Sequence, residues 1–496
     1  MLLLKVDKAS NAPVYRQIVG QIRDLVDRDV LAPGDALPSS RILAEKLGVN
    51  RSTVYNAYQE LWALGYLESS PGSYTRIRRR TRIATPDTRA AAGLIDWEAA
   101  STPAGAEVYR TFLEYRPEYR VRADEDIINL SQLDLDHRLF PAEEFRKCIN
   151  LALLHRGPKI LSYGDYAGYA PLREFIAQRM RTHGVALSAD EILITNGSQN
   201  GIDLLLKMLV APGTPVAVEA PTYANVIPLL RYYQARIIPV PMNSDGLDLT
   251  SLEKIFQSEH PAFVYTIPNF QNPTGITTSQ AHREALLALC EWFRVPVVED
   301  GFEEEMKYFG KVTLPIKSMD RQQTVIYLGT FSKVLFPGVR VGWIAAEREC
   351  IRRLTALKRF CDLTSSPMVQ ASLYEFCRLG HYDRHIQRMH RVFRKRMQVA
   401  LSAMRRHLPP GCGEWMEPVG GYLIWLQLQE PVPDEKELED IFRRHGVLMS
   451  PGRRYFPEMR SRPFFRISIS MLDEEEIAEG IRRLGRAMHE ICGRAQ

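Results

Sequence analysis

At 496 residues the chain is longer than one ordinary domain. Its 45% apolar and 25% charged residues are the composition of a soluble globular protein. The net charge of +5 is all N-terminal: residues 1–83 carry 13 Lys and Arg against 8 Asp and Glu, and the remainder of the totals balances at 51 against 51. No segment offers 18 apolar residues without Pro, Asn or charge, so no membrane span is expected, and MLLLKVDKAS meets a charge at Lys5, too early for a secretory core. Seven scattered cysteines with no Cys-x-x-Cys pair argue against a zinc or other metal site and against a disulfide framework. They predict reduced thiols in a cytoplasmic protein.

In chain order, PVYRQIVGQIRDLVDRDVL (residues 13–31) repeats apolar residues at helical spacing and stops at APGD. LPSSRILAEKLG reads as a Ser-capped helix ending at Gly48, and VNRSTVYNAYQELWALGYL as a second helix after a short turn. Together they predict a helix-turn-helix, and LESSPGSYTRI predicts a hairpin wing. The run RIRRRTR (residues 76–82) would attract a polyanion. Residues 79–126 read as a linker in which only LIDWEAA and EVYRTFLEYRPEY hint at local order.

From residue 127 the pattern changes. EILITNG, PVAVEAPTY, AFVYTIPN, VPVVEDG, TVIYLGT and RVGWIAA read as strands ending in polar or small residues, with GIDLLLKMLV and SQAHREALLALCEWF as helices between them. The expectation is an α/β domain with a mostly parallel sheet and its ligand groups at the strand ends. After a helical stretch at 381–408, GYLIWLQL, FFRISIS and the last helix predict a smaller α+β subdomain. The predicted organisation is therefore a DNA-reading head over 1–78, a linker over 79–126 and an α/β domain over 127–496.

PGDALPSSR followed by NRSTVYNAYQEL resembles the winged helix-turn-helix of the GntR superfamily. The resemblance implies that Arg51, Ser52 and Thr53 open a recognition helix toward base edges in the major groove, with Arg41 contacting DNA from the preceding helix. In the wing, Tyr74 replaces the usual glycine. Downstream, NGSQNG, PTY, NFQNPTG, VVEDG, GTFSK-x6-R and FFRIS come in the order and rough spacing of fold-type I pyridoxal-phosphate enzymes, the aspartate aminotransferase superfamily. Fusion of the two resembles the MocR/GabR group of transcriptional regulators.

That resemblance implies pyridoxal 5'-phosphate as cofactor, with Lys333 as the Schiff-base amine. Asp300 would face the pyridine nitrogen, Asn272 the phenolic oxygen and Tyr223 the ring face. Ser198, Gln199, Ser332 and Arg340 would form the phosphate cup, and Tyr163 would reach the phosphate across a homodimer interface. Arg466 would clamp the carboxylate of a substrate or effector. Two departures stand out: Phe302 occupies the place of a tyrosine that usually helps hold the phenolic oxygen, and Leu133 that of a substrate-facing glycine.

Two functions fit these residues. One is a DNA-binding transcriptional regulator, acting on a double-stranded operator, in which an amine or amino-acid effector forms an external aldimine and changes the posture of the heads. The other is a working aminotransferase with an appended DNA-binding domain. A third option makes the cofactor itself the signal.

Overall fold

The structure is a computed structural model that describes residues 4–8, 10, 12–68, 75–78, 95–115, 125–302, 305–310, 313–429, 431–458 and 463–494. The chain divides into two units, Met1–Trp97 and Glu98–Gln496.

The first unit holds α1 (Val14–Asp27), α2 (Ser40–Leu47), α3 (Arg51–Ala63) and a hairpin of β1 (Leu67–Glu68) and β2 (Arg76–Ile77). Helical spacing buries Ile18, Val19 and Ile22 of α1 against Val54, Ala57, Tyr58 and Leu61 of α3. The turn between α2 and α3 is set by capping. Ser39 Oγ accepts from Ile42 N at 3.3 Å, Gly48 takes φ 61° at the end of α2, and Asn50 Oδ1 accepts from Ser52 N at 3.1 Å. Tyr74 and residues 79–94, with most of the basic run, lie outside the described residues.

In the stretch read as a linker, α4 (Trp97–Ala100) and α5 (Pro103–Tyr115) are helical. β3 (Ile128–Asn129), α6 (Ala142–Arg156) and α7 (Ala170–Thr182) follow, then β4 (Ile192–Thr195), α8 (Ser198–Leu209), β5 (Pro215–Ala220), α9 (Val226–Tyr232), β6 (Arg236–Asn243), β7 (Gly246–Leu247), β8 (Val264–Thr266), β9 (Val297–Asp300), β10 (Val325–Thr330) and β11 (Gly342–Ala345). These strands make an eight-stranded sheet in the order β4-β11-β10-β9-β8-β5-β6-β7. The run from β10 to β6 is parallel, whereas β11 is antiparallel to both of its neighbours. Strands β4, β8, β9 and β10 are buried along their whole length, which is why they read as mostly apolar runs without a period-2 alternation. This is the expected α/β architecture.

A second sheet of β12 (Gly413–Trp415), β13 (Leu423–Leu428), β15 (Ser450–Pro451) and β16 (Phe464–Ser468) builds the smaller subdomain, in the order β12-β13-β16-β15. A short β14 (Val447–Leu448) pairs with β3. The helices His381–His407 and Glu474–Arg494 pack against each other beside this sheet. One expectation is corrected here. Cys412, just before β12, and Cys492, in the last helix, form a disulfide with S–S 2.10 Å and Cα–Cα 6.3 Å, while the other five cysteines are thiols. The two residues lie 80 positions apart, and only the packing of the last helix brings them together. Among the described residues, no helix is long and apolar enough to cross a membrane.

Candidate functional site

Because β4, β5, β8, β9 and β10 run in the same direction, their C-terminal ends share one edge of the sheet, where an open α/β sheet presents its crevice. A cavity of about 280 Å³ lies there, and Ser198, Tyr223, Asn272, Asp300, Phe302, Lys333 and Arg466 line it together with Leu133 and Arg454. Six of the ten positions expected at the cofactor and effector site thus share one wall. Gln199 reaches the cavity through Tyr223, whose hydroxyl donates to Gln199 Oε1 at 3.2 Å and accepts from Asn225 Nδ2 at 3.0 Å. Tyr163 stands apart from the cavity on the surface, 78% exposed.

Lys333 follows β10 on the turn that leads to Arg340, and its Nζ donates to the Leu133 carbonyl at 2.5 Å. Tyr422 hydroxyl donates to the Lys333 carbonyl at 2.7 Å and holds the turn from behind. Asp300 ends β9. Its Oδ2 accepts from Tyr265 hydroxyl at 2.6 Å, while its Oδ1 is buried and has no hydrogen-bond partner. Burial pushes the Asp300 carboxyl up to about 6, against the pull of Tyr265 and the Phe302 backbone. Burial and the neighbouring carboxylate keep the Tyr265 phenol protonated.

Asn272 is positioned by a buried polar frame. Glu219 accepts from Thr266 hydroxyl at 2.6 Å, Ile267 N at 2.9 Å and Gln271 Nε2 at 2.8 Å, and Gln271 Oε1 accepts from Thr274. Burial raises the Glu219 carboxyl to about 7. Arg466 projects from β16. Its Nη1 donates to Asn272 Oδ1 at 3.1 Å and its Nη2 to the Ser131 carbonyl at 2.6 Å, with the guanidinium 5.2 Å from the Tyr455 ring centroid and Nε buried without a partner.

Beside Ser198 of the cavity wall, no side chain caps α8, which leaves its first-turn N–H groups and dipole available to an anion; Ser332 and Arg340 are not among the cavity's lining residues. Ser332 Oγ is buried without a partner, and Arg340 Nη2 donates to the Asn196 carbonyl at 3.0 Å. Gly197 sits at φ 83°, and a Cβ there would stand 2.6 Å from Arg340 Nη2. A Cβ at Gly342 would meet the Ser198 nitrogen at 2.9 Å, so both glycines are needed to bring β11, Arg340 and the start of α8 into one cradle.

The donor set fits pyridoxal 5'-phosphate on its own chemistry. An anion cradle lies at one end, a primary amine stands beside it, and a buried carboxylate oxygen that lacks a donor suits a protonated ring nitrogen. Phe302 lines the cavity where a phenol was expected, and it is Tyr265 that brings a phenol to the Asp300 end. Sequence reasoning did not single out Tyr265, Glu219, Asn225, Arg454 or Tyr455. The signal present for the first two was a polar residue inside an otherwise apolar strand, in AFVYT and PVAVEA.

In the head, Arg41, Arg51 and Ser52 are exposed and Thr53 is half-buried. Arg51 shares one groove with Tyr55, Gln59, Trp62 and Thr75, along the face of α3 beside the hairpin. Ser52 Oγ donates to Asn50 Oδ1 at 3.0 Å, so its hydroxyl serves the cap.

A winged helix-turn-helix followed by an aminotransferase scaffold defines a class of fusion proteins. Residues 14–77 match the gntR family of bacterial regulatory proteins, and residues 125–484 match aminotransferase class I and II. An uncharacterized HTH-type transcriptional regulator of Bacillus subtilis, YdfD, is 30% identical over 98% of both chains. A 2-aminoadipate transaminase of Thermus thermophilus is 37% identical over 71% of this chain and 87% of its own. The crystal structure of a multiple substrate aminotransferase from Thermococcus profundus superposes with a TM-score of 0.75 at 32% identity, covering 81% of this chain and all of that one. The chain belongs to the MocR/GabR-type family, in which a GntR-type head is fused to an aminotransferase class I and II domain.

Proposed function

We infer that this protein is a pyridoxal-phosphate-dependent transcriptional regulator that binds operator DNA through its head and an amine or amino acid through the cavity. The observation that carries this reading is the coexistence in one chain of a gntR-type head and a cavity whose amine, carboxylate and anion cradle fit the cofactor. When bound, the cofactor supplies an aldehyde that condenses with primary amines and a ring that withdraws electrons. Lys333 would supply the amine that holds that aldehyde. Asp300 Oδ1 would keep the ring nitrogen protonated, Asn272 would donate to the phenolic oxygen, Tyr223 would cover the ring face, and Ser198, Gln199, Ser332 and Arg340 would take the phosphate. Arg466 grips the effector carboxylate. Arg41 and the start of α3, Arg51, Ser52 and Thr53, meet the DNA.

A set of contacts from the cavity to α5, the helix that follows the head in sequence, supports the regulatory role. α5, the last described helix between the head and the α/β domain, packs on α9, which begins two residues after the cavity residue Ala224. Arg231 of α9 lies 3.9 Å from Glu107 of α5 and donates to the Pro457 carbonyl at 3.1 Å, close to Arg454 and Tyr455 of the cavity wall. The reading takes the chain as a homodimer, with exposed Leu161, Tyr163 and Tyr166 offered to the partner.

A working aminotransferase is the second reading, favoured by the convergence of Lys333, Asp300, Asn272 and Arg466 on one wall. Single-turnover mixing of the holoprotein with amino acids separates the two. A regulator holds the amino acid without releasing the keto acid on the time scale of enzyme turnover, whereas an enzyme converts it at about 1–10³ per second.

A further inference from the structure

Tyr265 belongs to β8, the strand between β5 and β9, and is 1% exposed. It stands in register with Val298 of β9. Side chains two apart on a strand share a face, so Val298 and Asp300 lie on one side of β9, and a phenol is long enough to reach one pair further along. The Tyr265 hydroxyl donates to Asp300 Oδ2 at 2.6 Å. The next residue of β8, Thr266, donates to Glu219 of β5 at the same distance, so consecutive residues of one strand serve two buried carboxyls.

Asp300 needs this donor for two reasons. A carboxyl turns easily about its last torsion, and burial favours its neutral form. Holding Oδ2 fixes the torsion and leaves Oδ1, buried and without a hydrogen-bond partner, as the oxygen open to a ligand of the cavity that Asp300 lines. The phenol can only donate here, because burial and the carboxylate keep it protonated. Together with the Phe302 backbone it works against the burial that raises the Asp300 carboxyl to about 6. The Phe302 side chain has no donor to give.

We propose that Tyr265 is a positioning residue for the ring nitrogen of the cofactor: it fixes the rotation of the Asp300 carboxylate and keeps it charged, so that Oδ1 receives a cationic N–H. This rests on the reading of the cavity given above. A hydrogen bond to a charged group of this kind changes affinity by about tenfold or more.

The test is a double-variant cycle on the full-length protein freed of cofactor. It is titrated calorimetrically with pyridoxamine 5'-phosphate, which carries an amine in place of the aldehyde and so reads the non-covalent contacts alone. Tyr265→Phe is expected to weaken binding by about tenfold or more, and to change it by less than about threefold in the Asp300→Ala background. Wild-type affinity in Tyr265→Phe overturns the proposal, as does an equal loss in both backgrounds, which makes the phenol a packing group. Both results leave the cofactor reading standing. Asp300→Ala that binds as tightly as wild type overturns the assignment of Asp300, and wild type that binds nothing overturns both.

A second measurement needs no ligand. A carboxyl with a raised folded pKa loses its stabilising contribution as pH rises through that value, and losing the phenol raises the value further. The stability of cofactor-free Tyr265→Phe should therefore fall further below wild type as pH rises from about 6 to about 8. Glu219, which burial raises to about 7, keeps its bonds to Thr266, Ile267 and Gln271 in both proteins, and Tyr223 and Lys333 are likewise unchanged, so their titrations cancel in the difference. A difference that is flat with pH overturns the proposal.

Discussion

Replacing Asp300 by Asn separates the cost of a buried carboxylate from its use. In the protein without cofactor, Asp300 has one oxygen bonded to Tyr265 and the other without a donor, and its pKa stands near 6 rather than at the ordinary value of about 4. A carboxyl whose folded pKa is raised contributes stability below its unfolded pKa, and that contribution is lost as pH rises through the folded value. Two units amount to about 3 kcal/mol, of which about 2 kcal/mol falls between pH 4.5 and 7.5. Asn has nearly the same shape and can still accept from Tyr265, but it does not titrate. Cofactor-free Asp300→Asn should therefore gain about 2 kcal/mol relative to wild type as pH rises over that range. With cofactor the sign reverses. The Asp300 oxygen then has a cationic N–H partner, and removing one member of a buried pair costs about 3–5 kcal/mol, so non-covalent cofactor affinity should fall at least a hundredfold. Denaturant unfolding with and without cofactor at the two pH values measures both. A wild-type-minus-variant difference that is flat with pH, together with cofactor affinity within threefold of wild type, would refute the assignment of Asp300.

Lys333→Ala should abolish the borohydride-reducible link to the cofactor, whereas Asp300→Asn should keep it; peptide mapping that finds the label on another lysine contradicts this. Arg51→Ala should cost roughly 1–3 kcal/mol in DNA binding and relax base preference at one position, read by competition between operator variants at fixed salt. Arg231→Ala cuts the contacts of α9 with Glu107 and Pro457. It should leave amino-acid affinity within about threefold while reducing the change in DNA affinity that the amino acid causes, and a full response would remove α9 from the route.

Much of this molecule was legible because its chemistry sits at strand ends and turns, where polar residues interrupt apolar runs. The turn after β10 and the end of β9 carry Lys333 and Asp300, which the resemblance to fold-type I enzymes singled out, and the serine cap and Gly48 marked the head. Where chain packing decides, the sequence was silent. Arg453 and Arg454 are indistinguishable neighbours in the sequence, and only the turn Gly452–Tyr455 sends one inward. Tyr265 in a fully buried strand could face either side of the sheet, since burial on both faces erases the alternation that would assign it. The Cys412–Cys492 bond depends on the last helix lying beside β12. α5 fell in the stretch read as a linker, where EVYRTFLEYRPEY only hinted at local order, and its docking on α9 follows from packing.

The central claim is that occupancy of the cavity is read out at the DNA. DNA affinity of the cofactor-loaded protein, measured at constant salt with and without a saturating amino acid, in wild type and in Arg466→Ala, tests it most directly. The account predicts a shift of about fivefold or more in wild type and none in Arg466→Ala, with cofactor and basal DNA binding read in parallel. Unchanged DNA affinity in wild type with the cavity filled, or a full shift in Arg466→Ala, would contradict it.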